Sequence, residues 1–543
     1  MKKSKNKILL ALLLLHVAIL VSALYAEDDP SRREPPIPVD VNFPTQPRPG
    51  RFVEHLDQKR FLRMVKGDDD DGSPERSNSR RHPQQFDAME FAREKGDDFF
   101  DNLFFADSVF GSGANVGQGQ RYSRVPRADL RGPNEWANHV PLRATGPNAA
   151  SCIECHTGVR HDGGGLASVN AIRDPLHTGD PASFVNRNTP HLFGQGALQR
   201  LAEEMTEELQ LTLKNAKNQV CRTTSRETGG GERPGKVTRQ LVAKGTAFGQ
   251  ITIYAKGCVV DTSQIEGIDK DLVVKPFQWK GSVAFIRDFN RGAAHNENGQ
   301  QAVEIVGHDI DGDGDGVINE VSVGDMTALT VYVASQPRPT TKIELEKLGK
   351  IPPLSKKEIL SIWRGRDLFK TVGCAQCHTP QMKLASSIFS EPSQSPYYRD
   401  KVFPAGQDPV NEGLDPKYPI QLDLTKDVIN GFSNFQKDKD GMTKVELYSD
   451  LKRHDLGKEN AESIDEAGTG TSVWITKPLW GVGSTVPYMH DGRATSISQA
   501  VESHGGEARG SRAAYKGLSN EERKDIDAFL NNLRIWKPVD IDS

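Results

Sequence analysis

The sequence predicts a mainly α, loop-rich protein with a small β-hairpin insertion, and three observations predict it. Glycine and proline number 50 and 32, about 15% of the 543 residues against about 12% in an average chain, so loops are abundant. Apolar residues recur at helical spacing in separate segments, as Leu201, Met205, Leu209 and Leu213 do at i, i+4. One stretch, 237–260, alternates in part through Ile251 and Ile253, as paired strands do. The hydrophobic share is 36%, a modest side-chain core for the length. Charged residues make up 26% with a net charge of −4, so no basic excess argues for nucleic acid.

The elements follow in chain order. Lys2, Lys3, Lys5 and Lys7 precede an almost wholly apolar run from Ile8 to Leu24, and Ala26 is followed by Glu27, Asp28 and Asp29. That is the pattern of a secretory signal peptide over 1–26 or, left uncleaved, of an N-terminal membrane tether. Either places the rest of the chain in the periplasm or otherwise outside the cytoplasm, where disulfides persist. Residues 27–82, rich in Pro, Arg and Asp, read as a disordered linker. Helices are expected around Phe86–Phe105 and at 200–218, with the hairpin after them. Pro337 and Pro339 suggest a boundary near 340, giving an N-terminal domain at 83–340 and a C-terminal one at 341–543. In the second, Ser355–Val372 and Leu518–Leu533 read as helices, the latter with Ile526, Phe529, Leu530 and Leu533 on its inner face.

Six cysteines are too few for a disulfide scaffold, and their spacing carries the chemistry. Cys152-Ile-Glu-Cys155-His156 and Cys374-Ala-Gln-Cys377-His378 both read C-x-x-C-H, the attachment signature of a c-type haem. Two thiols three residues apart reach the two vinyl groups on one porphyrin edge, and the adjacent imidazole then lies under the iron. A zinc site would want a second Cys/His pair, and neither motif has one. Two covalently attached haem c groups are therefore expected, in two cytochrome c-like haem domains. A helix before the motif and a closing helix after it make that plan in the C-terminal half.

The second axial position decides between carrier and enzyme. Iron with two strong ligands transfers electrons, and iron with an open position can bind peroxide or oxygen. For the C-terminal haem the candidates are Met489, His490 and His504. For the N-terminal haem they are His161, His177, His191 and His295, and spacing does not choose among them.

The segments Lys477-Pro-Leu-Trp-Gly-Val-Gly-Ser-Thr-Val-Pro-Tyr-Met-His-Asp-Gly-Arg493 and Ala500-Val-Glu-Ser-His-Gly-Gly-Glu-Ala508 closely resemble the di-haem oxidoreductase, putative peroxidase family. Arg187–Phe193, Asp271–Lys280 and Asp311–Glu320 are similar to it too, and the resemblance spans roughly 130–535. It implies kinship with bacterial di-haem cytochrome c peroxidases. In those relatives the distal ligand of the electron-transfer haem stands fourteen residues after the His of the P-Y-x-H segment, as Met or Tyr. That position here is His504, which implies a bis-His C-terminal haem. The relatives' peroxide site is the N-terminal haem, with a carboxylate over the open face. Their W-D-G-R-type loop is absent, since Gly194–Gln199 follows the R-N-T-P segment. Glu297, in His295-Asn-Glu-Asn-Gly299, is the substitute candidate for catalysis, with His295 beside it.

Asp309, Asp311, Asp313 and Asp315 alternate with glycines and lead to Asn319 and Glu320. Such alternation lets oxygens converge on a hard cation, so these six residues are the calcium candidates. Cys221 and Cys258 remain and are expected to form a disulfide beside the hairpin. The expected activity is transfer of electrons from the C-terminal haem to an N-terminal haem that reduces hydrogen peroxide. The donor would be a small cytochrome or cupredoxin. The alternatives are a di-haem electron carrier and an oxidase of an organic or protein substrate.

Overall fold

The fold is built around two pairs of crossed helices. The computed structural model describes residues 55–66, 83–101, 126, 140–145, 147–158, 162–221, 234–314, 316–426 and 434–537. The signal segment 1–26 lies outside these, as do His161 and Asp315. Among the described residues no helix is long and apolar enough to cross a membrane.

Helix α1 (Gln58–Lys66) falls within the stretch expected to be a disordered linker. Its Phe61 is buried in the core, and the Leu56 amide just before it donates to Asp325. A short amphipathic helix tied down at its start orders a stretch whose composition reads as linker. Helix α2 (Pro83–Asp101) follows, then α3 (Gln195–Val220), whose Leu201, Met205 and Leu209 face the core as the i, i+4 spacing requires. The hairpin expected over 237–260 is a three-stranded antiparallel sheet of β1 (Lys236–Ala243), β2 (Thr246–Tyr254) and β3 (Val259–Asp261). The Cys221–Cys258 disulfide ties the end of α3 to the start of β3.

Helix α4 (Ile286–Ala293) runs into one turn of π-helix at Ala294–Asn298, and α5 (Val323–Ser335) is buried along its whole length. Helices α6 (Lys356–Thr371), α7 (Ile497–Ser503) and α8 (Asn520–Asn532) belong to the C-terminal half. Capping boxes at Ser322/Asp325, Ser355/Glu358 and Ser519/Glu522 fix the starts of α5, α6 and α8 by satisfying their first backbone N–H groups. Strands β4 (Arg453–Asp455) and β5 (Val473–Ile475) pair antiparallel, and Thr340–Thr341 pairs with Leu533–Arg534.

The two crossings repeat one plan. At Gly96 on α2, a Cβ would overlap the Ala328 carbonyl oxygen and the Tyr332 Cβ on α5. At Gly365 on α6, a Cβ would overlap the Asp525 carbonyl oxygen and crowd the Phe529 Cβ on α8. Only glycine lets these backbones approach so closely. Four residues on from each glycine stands a phenylalanine. Phe100 lies 5.4 Å from Tyr332, and Phe369 lies 5.4 Å from Phe529, ring centre to ring centre. The architecture is thus helical and loop-rich with several small sheets.

Candidate haem sites

Each crossing delivers an aromatic ring to a C-x-x-C-H motif. The ring centres of Phe369 and His378 are 6.4 Å apart. Phe100 and His156 are 5.7 Å apart. Gly373, at φ 91, ends α6 and turns the chain into a 3-10 turn over Cys374–Gln376. The matching turn at Cys152–Glu154 carries the first motif. In both motifs the histidine Nδ1 is 3.1 Å from a backbone carbonyl, Gly163 for His156 and Tyr448 for His378. With Nδ1 protonated and donating there, Nε2 keeps its lone pair for a metal. Burial disfavours the charged form of both imidazoles. It lowers the pKa of His156, and with His504 beside it pushes that of His378 down to about 4.

Of the three distal candidates in the C-terminal half, the one whose ring faces His378 is His504. The two ring centres are 6.4 Å apart at 61°. A metal–imidazole bond of about 2.0–2.1 Å plus about 1.2 Å from nitrogen to ring centre puts two imidazoles on opposite sides of one metal about 6.4–6.6 Å apart. His504 Nδ1 donates to the Ala500 carbonyl at 2.7 Å, across one turn of α7, and so its Nε2 is also left for a metal. His490 instead stacks on Trp474 at 3.8 Å. Met489 is held at φ 71 beside it. His378, His504, Cys374 and Cys377 line a cavity of about 310 Å³ that continues to His191, Trp279, Lys477 and Trp480. The paired imidazoles, the two thiols and this cavity fit a c-type haem.

The first motif has a different surrounding. Cys152, Cys155, Cys374 and Cys377 all lie outside the disulfide. The Cys152 Sγ is 3.7 Å from Asn298 Oδ1. The Glu297 carbonyl accepts from the Asn148 and Ala149 amides, and its carboxylate accepts from Asn148 Nδ2 at 2.5 Å and lies 3.6 Å from Arg173. The segment His295–Asn298 therefore braces the loop that leads into Cys152. His295 is buried, with Nε2 3.1 Å from the Pro141 carbonyl, and burial beside Arg143 pushes its pKa down to about 4. His191 places Nε2 3.1 Å from the Trp480 carbonyl, and its buried Nδ1 has no hydrogen-bond partner among the described residues. His177 is exposed on a turn. Among the described residues, Phe100 is a ring packed on His156, and His191 lies near enough that burial, joined by the His156 charge, pushes the His191 pKa down to about 4.

Two clusters escaped the sequence reading. His454 on β4 bridges Asp450 Oδ2 at 2.8 Å and Glu507 Oε2 at 2.7 Å. Burial opposes its charge, but Asp450, Cys377 and Glu507 outweigh that and push its pKa up to about 11. Ligand atoms of Cys377, Asp450 and His454 lie within 4.8 Å of one another, which sets this charged group at the thiol edge of the second motif. The other cluster gathers around Glu462 and Glu466. Arg187 binds both, at 2.9 Å in each case, Lys280 stands 3.7 Å from Glu462 and His490 3.9 Å from it. Three of the segments similar to that family, carrying Arg187, Lys280 and His490, thus converge on two glutamates with no motif of their own.

In the calcium candidate loop, Asp311 accepts from the Gly314 and Gly316 amides at 2.7 and 3.0 Å. Asp309 and Asn319 bond each other, and Glu320 accepts from the Gln301 amide at 2.9 Å. Asp313 and Glu320 are buried. Among the described residues, no three of these carboxylates bring oxygens within 4.8 Å of one another.

Residues 429–533 match the model of a family described as di-haem oxidoreductase, putative peroxidase. That stretch holds Lys477–Arg493 and His504, so the family resemblance read from those residues is found again there. No curated protein matches the chain. Among solved structures it is similar to hydrazine synthase of Kuenenia stuttgartiensis pressurised with 20 bar xenon, at 16% identity and a TM-score of 0.20. The match covers 41% of this chain and 59% of that one, and at that score it carries no structural argument.

Proposed function

We propose that this protein is an exported di-haem c-type oxidoreductase that reduces hydrogen peroxide with electrons from a small cytochrome or cupredoxin. The observation that carries the reading is the His378–His504 pair, two neutral imidazoles spaced for one iron beside a C-x-x-C-H motif. When bound, two haems supply one-electron transfer and, at an iron with an open axial position, peroxide reduction. Cys374 and Cys377 would anchor one group, and His378 and His504 would ligate its iron. Cys152, Cys155 and His156 anchor the other. The Glu297 carboxylate would hold or move the proton that peroxide reduction needs, and His295 holds the loop that carries it. The disulfide supports export, because such bonds persist outside the cytoplasm. A calcium ion on the Asp309–Glu320 loop is part of the same proposal.

A second reading, a di-haem electron carrier without peroxide chemistry, is favoured by one observation. The Glu297 carboxylate is already engaged by Asn148 and faces Arg173. Steady-state peroxide turnover of the purified holoprotein with a reduced cytochrome donor tests the choice. Turnover that requires both haems supports the enzyme, and none at any state of reduction leaves the carrier.

A further inference from the structure

Lys477 is deeply set, yet the surface it leaves open lines the same cavity as His378 and His504. Its ammonium makes one hydrogen bond, to the Gln278 carbonyl at 2.8 Å, and lies 5.3 Å from the Trp279 ring centre. An ammonium has three donors. Among the described residues Lys477 forms no ion pair, and burial alone pushes its pKa down to about 7. Other deep lysines are settled differently. Lys280 reaches three carbonyls, of Gly470, Thr471 and Val473, and lies 3.8 Å from the Trp474 ring centre. Lys537 is paired with Asp162 at 2.8 Å. A buried cation without a counter-charge is costly, so one in the wall of a cavity points to an anion that enters it.

We infer that Lys477 is the counter-ion of a carboxylate inside this cavity, and that the carboxylate is a propionate of the haem held by Cys374, Cys377 and His378. This rests on the proposed haem attachment. A c-type haem is tethered through its former vinyl groups and carries its two propionates on the edge away from them. A haem bound at Cys374 and Cys377 therefore brings carboxylates into the cavity that Lys477 lines. The same chemistry could come from a free carboxylate, and the test separates the two sources. Lys477 acts as a positioning and tuning residue, since it touches the cofactor's periphery and holds no iron.

The test uses the full-length holoprotein, with haem c first counted by the pyridine haemochrome method. A chain without two haems refutes the attachment reading itself. With both haems present, Lys477→Gln should lower the equilibrium constant for reducing one haem about tenfold, about 59 mV for one electron. Lys477→Arg, which keeps the charge, should restore most of it. Unchanged potentials in Lys477→Gln overturn the proposal. A wild-type potential that moves with added acetate, and a Lys477→Gln potential that does not, overturns the propionate in favour of a free carboxylate. If the Gln variant does not accumulate, resonance Raman spectra of the wild type decide. The propionate bending mode should shift in D2O, and an unshifted mode overturns the proposal.

Discussion

The two motif regions share a frame and differ in what faces the motif histidine. In each, a glycine lets two helices cross, and a phenylalanine four residues later meets the motif histidine. In each, that histidine gives Nδ1 to a backbone carbonyl. Around Cys374 the remaining parts come from nearby helices, and His504 on the loop after α7 stands opposite His378. Around Cys152 the motif lies far beyond α2, with residues 102–151 between, and the π-helical turn at Ala294–Asn298 braces the approach. On the proposed reading, the shared parts attach and orient a haem. The unshared parts are where an electron carrier and a peroxide site would part company.

The largest expected effect falls on the feature the halves do not share. His504→Ala should convert one haem from low-spin to high-spin, seen by EPR and optical spectra, while the other haem is untouched. An unchanged low-spin spectrum would show that another ligand holds that iron. Next comes Glu297→Gln. On the enzyme reading it cuts peroxide turnover about 100-fold or more while both haem spectra persist. Unchanged turnover would remove Glu297 from the chemistry.

The shared frame predicts matched effects. Gly96→Ala and Gly365→Ala should each cost about 1–3 kcal/mol, because the added methyl has a backbone oxygen in its place. Thermal unfolding of both variants checks this, and a loss at only one crossing would break the equivalence of the two halves.

The smallest effect concerns His454, which has no counterpart around Cys152 among the described residues. Its pKa in the folded chain, about 11, lies above the ordinary 6.5. The stability it contributes is therefore whole below pH 6.5 and is lost as pH climbs toward 11. His454→Gln should flatten the stability profile between those values, and a profile unchanged by the substitution would deny the Asp450–His454–Glu507 bridge any weight.

Much of this was legible in the sequence. The motifs, the helices at 195–220, 356–371 and 520–532, and the strands near 237–260 follow from spacing and periodicity that act locally. The Cys221–Cys258 bond followed from elimination, since four of six thiols were already assigned. The helix crossings were harder to see. Gly96…Phe100 and Gly365…Phe369 are a short repeat, given meaning only by partners more than 150 residues away in the chain. Glu462, Glu466 and His454 carry no motif, and their importance comes from charges that tertiary packing brings to them. The helix at Gln58–Lys66 was hidden for the same reason, because its order depends on Asp325 and the core rather than on its own composition.

The central claim is that the two halves hold haems in unequal states. EPR of the ferric holoprotein, recorded before and after addition of cyanide, tests it most directly. The account predicts one low-spin haem with two imidazole ligands that ignores cyanide, and one haem with an open position that binds it. Two low-spin haems that both ignore cyanide, even after half-reduction, would contradict it.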